Sequence, residues 1–267
     1  MAFVENKYAV VVNSHSTYHD VLEIFLATFH EYCPHLKLYI FTDYLDTKLF
    51  RNWENIVIYK GKTFRDQYLF SLKQIEEDII LTLNDDYFIT SPPKSVSVSY
   101  LVEKLKQSNY SQIRLHRGPN FGRKIDGKNL YNLDVNSSFF YSQTATLWKT
   151  KDLIKLYEGT APSGIARKGN EQQFEVLANE TAKELRLEGL VFFDGEKKRG
   201  RYHFDCSIFP YMASAIVDGK WNFLEYSSEL KETERKFGCN LSLRHSNRTF
   251  YSCFLEPFYA YAKRFIL

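Results

Sequence analysis

The first 88 residues alternate between short apolar runs and amphipathic segments. Four apolar runs predict β-strands, at residues 8–12, 36–41, 56–59 and 79–83. Between them, Tyr18 to Phe29 and Phe64 to Glu77 repeat apolar residues at helical spacing and predict two helices. Strands that alternate with helices in this way predict an α/β fold, in which helices flank a mostly parallel sheet.

The fourth apolar run ends abruptly in polar residues, as Ile79-Ile80-Leu81-Thr82-Leu83-Asn84-Asp85-Asp86. A continuous apolar run is typical of a buried strand in a parallel sheet. Open α/β sheets bind ligands at the C-terminal ends of their strands, and two carboxylates there can hold a divalent cation that neutralises a diphosphate. The alternative is an ordinary acidic turn, since Asn and Asp are common turn residues.

Two other predicted strands also end in polar residues. Asn13 and Ser14 follow the first strand, and Asp43 follows the second. In a parallel sheet these ends share one edge with Asn84-Asp85-Asp86, so a nucleotide would lie across them. Asp43 is a candidate to accept hydrogen bonds from ribose or a uracil edge, and capping of its own loop is the alternative. The sequence has no G-x-G-x-x-G or G-x-x-x-x-G-K-[ST] motif, which disfavours a dinucleotide site and a P-loop.

The second half of the chain is less regular. We expect one domain over residues 1–267, with a nucleotide-binding half (1–90) and an acceptor-side half (91–267) that includes an aromatic C-terminal tail. Its predicted elements are helices at 101–107, 150–157 and from Asn170, and strands at 113–115 and 139–148. A hairpin is predicted around Asp218-Gly219, with strands at 211–216 and 221–224. The polar residues 117–136 predict a long loop.

Composition narrows the class of protein only modestly. The chain has 267 residues, a net charge of +3 and no dense stripe of Lys and Arg, so we expect no nucleic-acid partner. Aromatic residues make up 16% of the chain, which suits a packed core and a groove for ring-shaped ligands. The four cysteines form no C-x-x-C pair, and the sequence has no signal peptide or 18-residue apolar span. We therefore expect a cytoplasmic protein with reduced thiols.

Three segments together resemble glycosyltransferases of the GT-A fold, in particular the small bacterial enzymes that build capsules, O-antigens and other surface glycans. They are Tyr8 to Asp43, Gln67 to Phe88, and Phe139 to Lys149 followed by the helix that carries Glu171. The resemblance implies a Rossmann-like sheet and a nucleotide-diphosphate sugar as donor, with a UDP-type donor favoured. One departure stands out. The family signature is Asp-x-Asp, and this chain has Asn84 at its first position.

The resemblance also implies roles for individual residues. Asp86 corresponds to the metal ligand for Mn²⁺ or Mg²⁺, and Asn84 and Asp85 to positions that touch ribose or sugar hydroxyls. His203 corresponds to a late histidine that joins the same ion, with Asp205 as its rival. Because Asn84 removes one charge, weak metal binding or metal independence is an open alternative.

Four further residues are candidates for the site. Glu171, near the start of its helix, corresponds to the carboxylate base of inverting enzymes, where the helix dipole would keep it ionised. Glu175 is the second candidate for this base. Gln143 corresponds to an acceptor-side residue, and Arg65 is a candidate to contact the diphosphate through its guanidinium. A surface ion pair is the alternative for Arg65.

The predicted function is transfer of a sugar from a nucleotide-diphosphate sugar to a glycan or lipid-linked glycan, with inversion. The aromatic and basic tail that ends at Leu267 is a candidate for peripheral contact with the cytoplasmic face of the membrane. Two alternatives stay open. One is a sugar nucleotidyltransferase, although such enzymes usually carry a Gly-rich, basic loop after the first strand and residues 13–17 have neither feature. The other is a non-catalytic glycan- or nucleotide-binding protein on the same fold.

Overall fold

The computed structural model describes residues 8–118, 122–125, 127–137, 139–162, 170–200 and 203–244, with only the backbone described for residues 170–172. Within these ranges, eight strands form one sheet. They are β1 (Ala9–Asn13), β2 (Leu38–Thr42), β3 (Asn55–Ile58), β4 (Ile79–Asn84), β5 (Gln112–Arg114), β6 (Leu130–Leu133), β7 (Thr146–Lys149) and β8 (Gly189–Phe192).

The order of strands in this sheet is β3-β2-β1-β4-β7-β5-β8-β6. Strands β1 to β4 are mutually parallel where they pair. Strand β7 runs antiparallel to both β4 and β5, β8 is parallel to β5, and β6 is antiparallel to β8. Six strands therefore run in one direction and two run against them. The prediction of an α/β fold with a mostly parallel sheet is confirmed.

Six helices pack on the two faces of the sheet in the described part of the chain. They are α1 (His19–Tyr32), α2 (Phe64–Leu72), α3 (Ser95–Lys106), α4 (Thr150–Gly159), α5 (Asn170–Glu184) and α6 (Phe223–Phe237). Side chains alternate along a strand, so β1 contributes Val10 and Val12 to one core and Ala9 and Val11 to the other. The first core contains the buried faces of α1 and α3, and the second contains those of α2, α4 and α5.

Two small hairpins lie beside the sheet. One pairs β9 (Lys198–Arg199) with β10 (His203–Phe204), and the other pairs β11 (Ile216–Val217) with β12 (Lys220–Trp221). The second hairpin surrounds Asp218-Gly219 as predicted. The predicted return strand at 221–224 is wrong, however, because α6 begins at Phe223. This helix is capped at its C-terminal end by Gly238, which adopts the left-handed conformation that favours glycine.

Several boundaries in the second half differ from the prediction. The long loop expected at 117–136 contains β6, and β8 has no counterpart among the predicted elements. The strand predicted at 139–148 is reduced to β7. The reason lies at Tyr141, whose backbone N–H and carbonyl bond to the buried side chain of Asn179 instead of to a neighbouring strand. No described helix combines the length and apolar character needed to cross a bilayer. The C-terminal tail predicted to contact a membrane lies outside the described residues.

Candidate functional site

A pocket of about 550 Å³ opens at the C-terminal ends of β1 and β4. The register of these neighbouring parallel strands pairs Asn13 with Asn84, which brings both strand ends to the same point on the sheet edge. The predicted residues that line the pocket are Asn13, Ser14, Asn84, Asp85, Asp86 and Gln143. The structure thus gathers into one cavity these residues, which are up to 130 positions apart in the chain.

The Asp85 carboxylate is tied to the end of β1. The hydroxyl of buried Ser14 donates a 2.6 Å hydrogen bond to Asp85 Oδ2. Burial raises the pKa of Asp85 to about 7, although the Ser14 hydrogen bond and the positive charge of Arg244 act in the opposite direction. Asp85 is therefore held in a fixed orientation, and a nearby positive charge would favour its ionised form.

The Asp86 carboxylate has fewer compensating contacts. Burial, followed by the negative charge of Asp85, raises the pKa of Asp86 to about 8. The backbone N–H of Ile216 lies 3.4 Å from Asp86 Oδ2, which is a long hydrogen bond, while Ala215 N donates to the Asp86 carbonyl at 3.0 Å. Most of the lone-pair capacity of this carboxylate is therefore available to a ligand.

Asn84 and Gln143 connect the pocket to the acceptor-side half. The amide of Asn84 donates to the Gln143 carbonyl at 3.0 Å, and the Gln143 N–H donates to Glu175 Oε1 at 2.6 Å. The segment that carries Gln143 is thereby fixed between β4 and α5. Glu175, the second candidate base, touches this pocket-lining segment, whereas the side chain of Glu171 lies outside the described residues.

Acidic side chains outnumber basic ones in the described lining of the pocket. Three of its lining residues are carboxylates, namely Asp85, Asp86 and Asp218, and none of its described lining residues is Lys or Arg. The imidazole of His15 also lines the pocket, and its Nε2 lies 3.3 Å from Asp43 Oδ2. An anionic ligand would therefore meet net repulsion here unless it entered with a cation.

Asp43 and Arg65 are absent from the described lining of the pocket. Asp43 accepts hydrogen bonds from Ser16 N at 2.6 Å and Ser16 Oγ at 2.8 Å, and so caps the short 3-10 helix Ser16–Tyr18. These bonds outweigh burial and lower the pKa of Asp43. Arg65 Nε lies 3.2 Å from Asp66 Oδ1 at the start of α2. Asp43 thus contacts the segment that follows the neighbouring strand β1, and Arg65 makes an ion pair with the next residue in the chain. Ligand binding by either residue stays a prediction.

His203 also lies apart from the described pocket lining. Its Nδ1 is 2.6 Å from Oε2 of the nearly buried Glu225, and its ring centroid is 6.0 Å from that of His116. Its rival, Asp205, accepts a 2.8 Å hydrogen bond from Arg199. Within the described residues, no three His, Cys, Asp or Glu side chains are grouped to hold a metal ion. A cation at Asp86 would thus need ligand oxygens to complete its coordination.

Two parts of the pocket lining were not predicted from the sequence. Tyr18, Tyr59 and Phe64 add aromatic rings to the lining, at the end of the 3-10 helix, just after β3 and at the start of α2. Their positions at the ends of predicted elements were a usable signal. The other part is the turn Asp218-Gly219, whose approach to Asp86 depends on tertiary packing across about half the chain.

Comparison with known proteins yields similar backbones without a sequence relative. No protein-family model matches the chain, and no curated protein matches it significantly in sequence. Similar solved structures include CMP:2-keto-3-deoxy-manno-octonic acid synthetase complexed with CTP, at 9% identity over 69% of this chain and 88% of that chain, with a TM-score of 0.43. UDP-glucose pyrophosphorylase complexed with UDP-glucose gives 10% identity over 74% and 91%, also at 0.43.

A third similar structure is S. aureus TarS 1-349 in complex with UDP-GlcNAc. It shares 16% identity over 73% of this chain and 60% of that chain, with a TM-score of 0.43. Because the TM-scores of these three structures lie below 0.5 and their identities are low, the likeness assigns neither a family nor a function to the chain.

Proposed function

We propose that this protein is a glycosyltransferase that moves a sugar from a nucleotide-diphosphate sugar, of UDP type, to a glycan or lipid-linked glycan. The observation that carries this proposal is the pocket at the ends of β1 and β4, whose lining combines aromatic rings with carboxylates. A nucleoside diphosphate needs the same two features, because its base is flat and apolar and its diphosphate requires a cation.

The carboxylates that line the pocket are suitable ligands for a divalent cation. Asp86 and Asp85 offer oxygen ligands, which Mg²⁺ and Mn²⁺ prefer. Burial raises the pKa of each carboxylate, and the negative charge of Asp85 raises that of Asp86 further. A bound cation supplies positive charge that neutralises the diphosphate of the donor and stabilises it as a leaving group. Asp86 is the ligand in this proposal, and Ser14 positions Asp85 beside it.

The aromatic rings that line the pocket are suited to bind the nucleoside. Tyr59 and Phe64 line the pocket at the C-terminal end of β3 and the start of α2, on the β1 side of the sheet. A base that stacks on such rings gains contact area without requiring a particular hydrogen-bond pattern. Gln67, one turn into α2, also lines the pocket and adds an amide that can bind a polar base edge.

The acceptor would approach from the side of Gln143 and α5. Inversion requires a base that removes the proton of the acceptor hydroxyl, and we assign this role to Glu171, with Glu175 as the second candidate. Glu175 already bonds to the Gln143 backbone, so its use as a base would require that this 2.6 Å hydrogen bond be exchanged for one to the acceptor. This contact favours Glu171 over Glu175.

A sugar nucleotidyltransferase is a weaker alternative for this pocket. Such an enzyme must bind a triphosphate, and basic residues usually neutralise it. The loop after β1 folds into the 3-10 helix Ser16–Tyr18, and neither it nor the rest of the described pocket lining contains Lys or Arg. In this site, a divalent cation would therefore have to neutralise the triphosphate without help from basic residues of the described lining.

Thermal unfolding with nucleotides tests the proposed function. We expect UDP and UDP-sugars to raise the Tm when Mg²⁺ or Mn²⁺ is present and to lose this effect in a chelator. A ligand at about 100 times its Kd adds about 2.7 kcal/mol and would raise the Tm by about 5–10 °C. GDP, CMP and dTDP provide the comparison. A shift without transfer to any glycan would favour the non-catalytic binding protein, and no shift with any nucleotide would contradict both functions.

The cation affinity of the pocket should depend on pH. Because the pKa values of Asp85 and Asp86 are raised to about 7 and about 8, protons compete with the cation below these values. We expect Mn²⁺ affinity, measured by calorimetry in the presence of UDP, to rise by about tenfold or more from pH 6 to pH 8 and to level off above that. Identical affinities at pH 6 and pH 8 would contradict the role of these carboxylates.

A further inference from the structure

The hairpin β11–β12 brings a third carboxylate to the pocket. Asp218 and Gly219 form its turn, both with positive φ, of 51° and 75°, and both line the pocket. Asp218 is exposed, so it borders the open side of the cavity. Asp218 has no role in the proposed binding of a cation by Asp86.

The hairpin is firmly attached to the strand end that carries Asp86. The backbone N–H of Ala215 donates a 3.0 Å hydrogen bond to the Asp86 carbonyl. The Ala215 carbonyl in turn accepts a 2.8 Å hydrogen bond from the backbone N–H of Asn222. At the far end of the hairpin, Trp221 is buried and its indole N–H donates to the Leu241 carbonyl at 2.6 Å. Because the hairpin is held at both ends, the position of Asp218 relative to Asp86 is set by the fold.

The size of the pocket makes the charge of Asp218 relevant to any ligand inside it. A cavity of about 550 Å³ is about 8 Å across if it is roughly cubic, which is also about the Debye length at physiological ionic strength. Salt therefore screens a charged group on the ligand from Asp218 only in part. A cation at Asp86 would be occupied by the diphosphate, and the described lining offers no Lys or Arg to meet a second anionic group.

We infer that Asp218 is a specificity-determining residue that restricts the transferred sugar to one without an acidic group. This inference rests on the proposed function and names the class of donor sugar within it. The hydroxyls of a neutral sugar can donate hydrogen bonds to the Asp218 carboxylate, whereas the carboxylate of a uronic acid can only repel it. The residue therefore acts by rejecting acidic donors as well as by binding neutral ones.

A matched pair of donors tests this inference. UDP-glucose and UDP-glucuronate differ only in a neutral or an acidic group at C6, so the ratio of their Kd values with Mg²⁺ isolates that charge. We expect wild-type protein to bind UDP-glucose about tenfold tighter or more. Asp218→Asn should reduce this ratio by about threefold or more, mainly through tighter binding of UDP-glucuronate. Asn tolerates the positive φ at this position, so the turn should be retained.

A second variant separates local from general charge effects. Glu54→Gln removes one negative charge from an exposed residue just before β3, at the opposite edge of the sheet, and should leave the ratio unchanged. An equal ratio for wild type and Asp218→Asn, with both donors binding, would overturn this inference alone. Failure of wild-type protein to bind either donor would overturn the inference together with the proposed function.

Discussion

Replacement of Asp86 by Asn should stabilise the metal-free protein at pH 8 and abolish its metal-dependent binding of UDP. Burial and the neighbouring Asp85 raise the pKa of Asp86 to about 8, so its ionisation costs folding free energy. Asn keeps the size of the side chain and removes the charge. We expect the free energy of unfolding to rise by about 1–3 kcal/mol, which corresponds to about 3–8 °C in Tm.

The sign of this effect follows from the direction of the pKa change. A carboxylate whose folded-state pKa is raised binds more protons when folded than when unfolded, so its ionisation destabilises the folded state as the pH rises. This cost is absent below the unfolded pKa of about 4 and is complete above about pH 8. The advantage of Asp86→Asn should therefore be largest at pH 8 and should shrink as the pH falls towards 4.

Asp78 provides a matched control for Asp86→Asn. It is exposed and directly precedes β4, so Asp78→Asn makes the same chemical change at the other end of the strand. We expect this variant to keep wild-type stability to within about 0.5 kcal/mol and to bind UDP with metal as the wild type does. If Asp86→Asn were no more stable than Asp78→Asn at pH 8 in a chelator, the electrostatic account of the carboxylate pair would be wrong.

Together, gain of stability and loss of binding would identify Asp86 as a residue whose charge serves a ligand and not the fold. A buried structural carboxylate normally has a donor or cation that compensates it, as Ser14 compensates Asp85. Among the described residues, Asp86 has the long contact from Ile216 N and a hydrogen bond from its own backbone N–H. Active sites commonly retain such charges at a cost in stability.

The part of the site formed by the strand ends was predictable, because it depends on the local sequence pattern and on the order of the strands. Each strand end is marked by a change from apolar to polar residues, and parallel pairing brings those ends to one edge. Asn13, Ser14 and Asn84 reach the pocket for this reason. Asp43 also stands at a strand end, but it is not among the described lining residues, and its carboxylate accepts a hydrogen bond from Ser16 N, just after the neighbouring strand β1.

The rest of the site depends on packing between distant segments, which the sequence pattern does not encode. Ile216 approaches Asp86 across 130 residues of chain, and this contact brings Asp218 into the pocket. The resemblance implies a metal-ligand role for His203. In the structure its Nδ1 lies 2.6 Å from Oε2 of Glu225, a residue in the first turn of the unpredicted helix α6. Single residues in irregular segments therefore need the tertiary structure before a role can be argued.

Replacement of Asn179 by Ala should cause a large loss of stability. Asn179 is buried in α5, and its side chain accepts from Tyr141 N at 2.9 Å and donates to the carbonyls of Tyr141 and Glu175 at 3.1 and 2.6 Å. Ala would leave the backbone polar groups of Tyr141 buried without these partners. We expect the free energy of unfolding to fall by about 3 kcal/mol and the Tm to fall by about 6–12 °C.

The same change should reach the pocket, because Asn179 fixes the segment that continues to Gln143. Loss of the anchor at Tyr141 would free Gln143 from its position between Asn84 and Glu175. Weaker UDP binding should therefore accompany the lower Tm, even at temperatures where the variant is folded. Asn52→Ala, at an exposed position before β3, is the matched control and should change neither quantity. Wild-type stability in Asn179→Ala would show that the irregular segment before β7 is held by other contacts, since a buried backbone without partners cannot be neutral.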